Sequence, residues 1–276
     1  MKLSVNELEK KARELRATCI QMSFDSKEGH LSSSLSYVDI LVVLYYKFLS
    51  ISKNNMHDKS RDRFILSKGH GCTSLYAVLA DLGFIPISTL KDYGKENSSL
   101  PNHPCKHACD AIEYSSGSLG HGLGIGTGIH YALEMENINS KVVVLLGDGE
   151  CNEGSVWESV NFAAAHQQKN LLAFIDYNGV QAVGKTDELS GHTLLVEKFR
   201  AFGWEAIEID GNSISEIISA LNKFPSENNK PTAIIAKTRT GIPFMDNDVL
   251  WHYRVPSSEE LSAALTLLNA NPVHKE

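Results

Sequence analysis

Apolar residues in the first segment recur every three or four positions, at Leu8, Ala12, Leu15 and Cys19, which is the spacing of one helix face. Ser4 followed by Glu7 forms an S-x-x-E capping box and predicts where that helix begins. A second apolar segment, Tyr37 to Phe48, reads as a buried helix, and the polar stretch from Ile51 to Arg61 as a loop. Apolar runs predict strands at Arg63–Leu66, Val142–Leu146, Leu171–Ile175, Trp204–Ile209 and Thr232–Lys237. Helical segments lie between them: Thr73–Leu82, the later part of Gly117–Glu134, the residues after Gly149, and Ser213–Leu221. One more helix follows Ser257. Strands alternating with helices predict an α/β fold, a doubly wound, mostly parallel sheet with helices on both faces. The irregular stretch from Ser88 to Ser115, with Pro101 and Pro104, reads as an ordered functional loop rather than a linker.

The richest stretch runs from Lys141 to Thr186. One apolar run breaks at Gly147-Asp148-Gly149 and the next at Asp176-Tyr177-Asn178-Gly179, so strand, turn, helix, strand and turn follow in order. Both turns lie at the carboxyl end of a strand, where open parallel sheets bind ligands. Asp148 and Asn178 are 30 positions apart, yet the two strands can bring them side by side. A carboxylate, an amide oxygen and nearby carbonyls are hard oxygen ligands, suited to Mg2+ or Ca2+ carrying a diphosphate. The glycine-rich run from Gly117 turns a helix amino terminus toward a ligand.

Composition narrows the partners. The chain has 276 residues, 42% hydrophobic and 21% charged, with a net charge of −7, so nothing points to a polyanion or a membrane. Its charged, helical start lacks the apolar centre of a signal peptide, and five cysteines without a secretory signal read as free thiols of a cytoplasmic protein. His103, Cys105, His107 and Cys109 alternate, which is not a usual zinc spacing.

Gly147-Asp148-Gly149 with Asn178 resembles the thiamine diphosphate fingerprint, and GDGECNEGSVWE is similar to transketolases in particular. The similarity extends from about Arg13 to Pro256. Gly29-His30 resembles the family's Ser-Gly-His-Pro-Gly block, with Leu31 and Ser32 replacing the last two residues. Leu66-Ser67-Lys68-Gly69-His70 resembles Leu-Ser-x-Gly-His, and His103-Pro104 matches the end of Gly-His-Pro. Ser116 to Gly122 resembles Thr-Gly-Pro-Leu-Gly-Gln-Gly, with Ser118 in place of the proline and His121 in place of the glutamine. Lys237 to His252 resembles the segment that ends the diphosphate-binding domain of two-chain transketolases.

The resemblance implies a thiamine diphosphate-binding fold. It implies a metal, Mg2+ or Ca2+, held by Asp148, Asn178 and the main-chain carbonyl of Val180. Cofactor contacts fall to His70, Ser118, Leu119, Gly147, Asp148, Gly149, Glu150, Asn178 and His252, with Leu119 offering its backbone to the aminopyrimidine ring. His30, His70, His103, His252 and Glu153 become the catalytic set. Protons must leave and return to sugar hydroxyls near neutral pH, which suits histidine. Glu153 belongs to a proton relay across the subunit interface; for Glu158, a relay and a simple preference of acids for a helix amino terminus are equally open. His57, His107, His130, His166, His192 and His274 match no motif and read as structural or surface residues.

The whole chain, 1–276, reads as one diphosphate-binding domain. The glutamate that activates the cofactor lies, in this family, on a pyrimidine-binding domain, which is expected on a partner chain in a heterotetramer. The activity implied is transfer of a two-carbon ketol unit from a ketose, a sugar phosphate by resemblance, to an aldose. The alpha chain of a 2-oxoacid dehydrogenase, a deoxyxylulose-phosphate synthase-like enzyme and a non-catalytic cofactor-binding relative are the alternatives.

Overall fold

A computed structural model describes residues 3–190 and 194–273; His192 and His274 lie outside them. Helix α1 (Val5–Ser26) starts at the capping box: Ser4 Oγ accepts from the Glu7 N–H at 3.4 Å, and the Glu7 carboxylate accepts from the Ser4 N–H at 2.7 Å. A short helix α2 (Leu31–Leu35) and α3 (Val38–Val43) follow, the latter widening into a π turn at Leu44–Phe48. The expected helix from Tyr37 to Phe48 is therefore only α-helical in its first half, and the Leu49 N–H reaches back five residues to the Leu44 carbonyl.

The remaining elements are β1 (Arg63–Leu66), α4 (Cys72–Asp81), α5 (Gly122–Met135), β2 (Val142–Gly147), α6 (Gly154–Ala165) and β3 (Leu171–Tyr177). A small hairpin of β4 (Val180–Gln181) and β5 (Gly184–Lys185) leads to α7 (Thr186–Ser190) and α8 (Leu195–Ala201). Then come β6 (Glu205–Asp210), α9 (Ile214–Leu221), β7 (Thr232–Lys237) and α10 (Ser258–Leu268).

Five strands form one parallel sheet in the order β1-β2-β3-β7-β6. Its central strands are apolar on both sides because both sides are covered. Val143, Leu145, Leu172, Phe174, Ile234 and Ala236 face one core, built with α1, α3, α4, α9 and α10. Val142, Val144, Leu171, Ala173, Ala233 and Ile235 face the other, closed by α5, α6 and α8. The chain steps β1, β2, β3 across the sheet, then jumps to β6 and returns through β7. The carboxyl ends of β1, β2 and β3 open side by side, where parallel sheets bind ligands. β3 continues past the expected end at Ile175: Asp176 pairs with Ala236 and Tyr177 with Lys237. The polar Asp176 looks like a turn residue in sequence but is wholly buried inside the ladder.

Candidate active site

A cavity of roughly 450 Å³ opens at these strand ends, the size range of small-molecule sites. Asp148, at the end of β2, is 5% exposed. Its Oδ1 accepts from the Gly149 N–H at 2.9 Å, and its Oδ2 from the Gly179 N–H at 3.1 Å and the Thr186 hydroxyl at 2.6 Å. Burial nonetheless pushes its pKa up to about 6; the Thr186 bond opposes that and nearby Asp176 adds to it. Asn178 Oδ1 accepts from the Val180 N–H at 2.9 Å, so one turn holds the amide oxygen and the Val180 backbone together. Asp148, Asn178 and Val180 all line the cavity.

This set fits a hard divalent cation. Among the described residues no three His, Cys, Asp or Glu side chains group to hold a metal by themselves. One carboxylate, one amide oxygen and one carbonyl leave the other coordination positions to a ligand's own oxygens and to water, as Mg2+ on a diphosphate requires. The desolvated carboxylate of Asp148 gains from a cation beside it.

The histidines converge on the same cavity. His30, His70 and His252 form a triangle with ring centroids 5.4, 5.0 and 5.6 Å apart, and His103 lines the mouth. His30 has φ +62°, and its N–H donates to the His252 carbonyl at 2.9 Å. Gly29 permits that approach, because a Cβ there would lie 2.5 Å from the Tyr253 carbonyl oxygen. Burial lowers the pKa of all four histidines. It takes His252 down to about 4, helped by His30 and Lys68, and Lys68 also depresses His70. The three histidines of the triangle, lowered from their ordinary 6.5, are neutral near pH 7, each with one donor and one acceptor nitrogen.

The other predicted site residues take specific places. Gly147, Gly149 and Leu119 line the cavity, with Gly117 beside Leu119, whereas Ser118 is exposed and does not line it. Glu150 is buried at the edge of the cavity. Its carboxylate accepts from the Ser67 hydroxyl, from the Gly120 N–H at 2.8 Å and from the Gly147 N–H at 3.2 Å, so it clamps the glycine loop to β2. Glu153 stands exposed at the rim, directly before α6, and Glu158 is exposed one turn further along.

Sequence reasoning missed the layer beneath. Lys68 is buried, lines the cavity, and donates to Asp176 Oδ2 at 2.5 Å; Ser36 donates to the same oxygen at 2.6 Å, and Thr238 to Oδ1. Lys68 sits at the end of β1, Asp176 in β3 and Thr238 just after β7, so the network ties strand ends together under the site. The available signal was Lys68 in a strand-end glycine turn; its partner Asp176 is far away in sequence. Thr186, which supports Asp148, and Ser33, 3.5 Å from His252 Nδ1, were missed too.

The family described as "Transketolase, thiamine diphosphate binding domain" matches residues 8–255. One of the subunits of the apulose-4-phosphate transketolase of Actinobacillus succinogenes is 38% identical over 95% of this chain and 96% of its own length. The 6-deoxy-6-sulfo-D-fructose transketolase subunit of a Clostridium species is 35% identical over 87% of this chain and 88% of its own. The crystal structure of Campylobacter jejuni transketolase superimposes with a TM-score of 0.91 at 27% identity, covering 98% of this chain; the chain spans 44% of that protein. The match over nearly its full length makes this chain a member of the transketolase family, matching its thiamine diphosphate binding domain.

Proposed function

We propose that this chain is the diphosphate-binding subunit of a two-chain transketolase. A separate pyrimidine-domain subunit completes each site, and the pair transfers a two-carbon ketol unit from a ketose to an aldose. The observation that carries this reading is the meeting of His30, His70 and His252 with Asp148, Asn178 and Val180 around one cavity. Two relatives that match almost end to end are themselves named as single subunits of apulose-4-phosphate transketolases.

Thiamine diphosphate, when bound, supplies the carbon that takes up the two-carbon unit. Asp148, Asn178 and the Val180 carbonyl would hold Mg2+, or Ca2+, which would neutralise the charge of a diphosphate. His30 and His103, nearer the mouth, accept a proton from a sugar hydroxyl and return it. His70 and His252, more deeply set, stay neutral and orient the reacting groups by hydrogen bonds. Glu153, at the rim, reaches the partner as part of a relay between sites.

The assembly is a heterotetramer, two of these chains with two partners, acting in the cytoplasm; five free cysteines support that compartment. The names of the relatives favour a specialised sugar rather than common pentose phosphates. The purified pair, given a panel of ketose donors and aldose acceptors, should transfer ketol units best from an uncommon phosphorylated or sulfonated ketose. Highest kcat/KM on xylulose 5-phosphate would instead assign it to general pentose metabolism.

A further inference from the structure

His103 stands at the mouth of the cavity beside two residues that depart from the family's blocks. Where those blocks read Ser-Gly-His and Gly-His-Pro, this chain has Glu28 before Gly29-His30 and Asn102 before His103-Pro104. The two replacements are 74 positions apart, yet Asn102 Nδ2 donates to Glu28 Oε2 at 3.5 Å. The other end of the same amide, Asn102 Oδ1, lies 3.3 Å from His103 Nδ1. That order fixes the hydrogens. A carboxylate only accepts, so the amide turns its NH2 edge to Glu28 and its oxygen to the ring. The ring nitrogen facing that oxygen must then be the one that carries the proton, which leaves Nε2 of neutral His103 as the acceptor. Both partners are held by the chain around them. The Ser23 hydroxyl donates to the Glu28 carbonyl at 2.6 Å, and the Glu28 N–H donates to Ser26 Oγ at 3.2 Å. Gly94 packs on the Glu28 stem, where a Cβ would come within 2.7 Å of Cγ. The hydroxyl of buried Tyr76, on α4, lies 3.0 Å from the Pro101 carbonyl and 3.1 Å from that of His103, which fixes the backbone that presents Asn102. Among the described residues, Glu28, His30 and His70 are the titratable groups that face His103, and Glu28 favours its charged form against burial.

We propose that Glu28 and Asn102 are a positioning pair for His103, holding its ring with the proton on Nδ1 so that Nε2 takes up the proton of a sugar hydroxyl. In that step the O–H bond breaks with its electron pair left on the oxygen, a bond to Nε2 forms, and the imidazolium returns the proton later in the cycle. The negative charge of Glu28, one amide away, makes the ring a stronger base than it would be beside a neutral residue. The inference rests on the ketol-transfer reading above and deepens it.

The test is NMR of the two-chain complex with isotope-labelled histidine rings, followed by ketol-transfer kinetics on the same proteins. The His103 signal is identified by its absence from His103→Ala. At about pH 8, where the ring is neutral, wild type should show His103 protonated on Nδ1. Asn102→Gly, which restores the family's residue, should lose that preference. Glu28→Gln keeps an acceptor without the charge, so it should keep the tautomer but lower the pH at which the ring and the acid limb of kcat titrate. Each variant should lower kcat by about threefold to tenfold, the scale of one hydrogen bond, with KM within about twofold. The double variant should lose no more than Asn102→Gly alone, because both residues act through one ring. A wild-type ring protonated on Nε2, a tautomer unchanged by Asn102→Gly, or losses that multiply in the double variant overturns the proposal. If the tautomer responds as described but the wild-type complex transfers no ketol unit from any ketose, the positioning pair stands and the ketol-transfer reading falls.

Discussion

Asp148 is the residue on which the site turns. It is buried, reluctant to ionise, and surrounded by donors that hold it still. Asp148→Ala should abolish measurable thiamine diphosphate binding in a calorimetric titration with Mg2+, because the cation loses its one anionic protein ligand; unchanged affinity would remove the metal from this position. His103 and His30 should differ from each other. His103 is half-exposed, and its ring Nδ1 lies 3.3 Å from Asn102 Oδ1. His103→Ala should lower kcat while shifting stability by less than about 0.5 kcal/mol. His30 sits in a left-handed conformation that glycine adopts without strain. His30→Gly should therefore fold as well as His30→Ala or better, yet lose turnover equally; a turnover recovered in either variant would show that the ring has no role.

The His252 ring also carries a pH signature. Its pKa falls from 6.5 to about 4 on folding, so the unfolded chain binds the extra proton first. Its contribution is complete above about pH 6.5 and is lost as the pH falls toward 4. Asp148, raised from 3.8 to about 6, acts in the opposite sense over part of that window, so the comparison must be differential. The stability of wild type minus that of His252→Asn, from urea melts, should decrease between pH 7 and pH 4.5. A difference independent of pH would show that folding leaves the His252 pKa unshifted.

Among the elements, the legible ones are those with a strong local signal. The apolar runs of β1, β2, β3 and β7 stand out because both faces of each central strand are buried, and α1 announces itself through its capping box. Helix α2 left no such mark. Its sequence, LSSSL, has weak helix propensity, and it forms because Leu31 and Leu35 are buried while Ser34 returns a hydrogen bond to the His30 carbonyl at 3.2 Å. Asp176 escaped for a related reason: a charge inside a strand is tolerable only with partners, and Lys68 and Thr238 come from elements far away in sequence. The Asp148 and Asn178 turns and the histidine blocks stand out as motifs, whereas the groups beneath them, Lys68, Ser33 and Thr186, depend on the fold. Helix α5 lies close on β2, since a Cβ at Gly126 would come within 2.5 Å of Val144 Cγ2. Gly126→Ala should thus destabilise by about 1–3 kcal/mol in urea melts despite alanine's better helix propensity. It should also weaken thiamine diphosphate binding, because α5 carries the glycine loop at its amino end; a stabilised variant would show slack between α5 and the sheet.

For the molecule as a whole, the site faces outward on one side. Gly117, Ser118 and His121 in the glycine loop, Glu153 at the rim, and the apolar side chains of Ile125, Tyr131, Met135 and Phe162 along α5 and α6 are all exposed. Exposed apolar side chains along α5 and α6 suit a covering protein surface. No helix among the described residues is long and apolar enough to cross a membrane. On the proposed reading, this chain supplies the diphosphate half of a transketolase site and a second chain the rest. Ketol transfer tests that division head-on, followed by release of the aldose product for this chain alone, for the partner alone and for the reconstituted pair, each with thiamine diphosphate and Mg2+. Turnover is expected only from the pair, and should be lost when Asp148→Ala replaces the wild-type chain. Full turnover by this chain alone, or a pair that binds thiamine diphosphate yet transfers no ketol unit from any ketose, would overturn it.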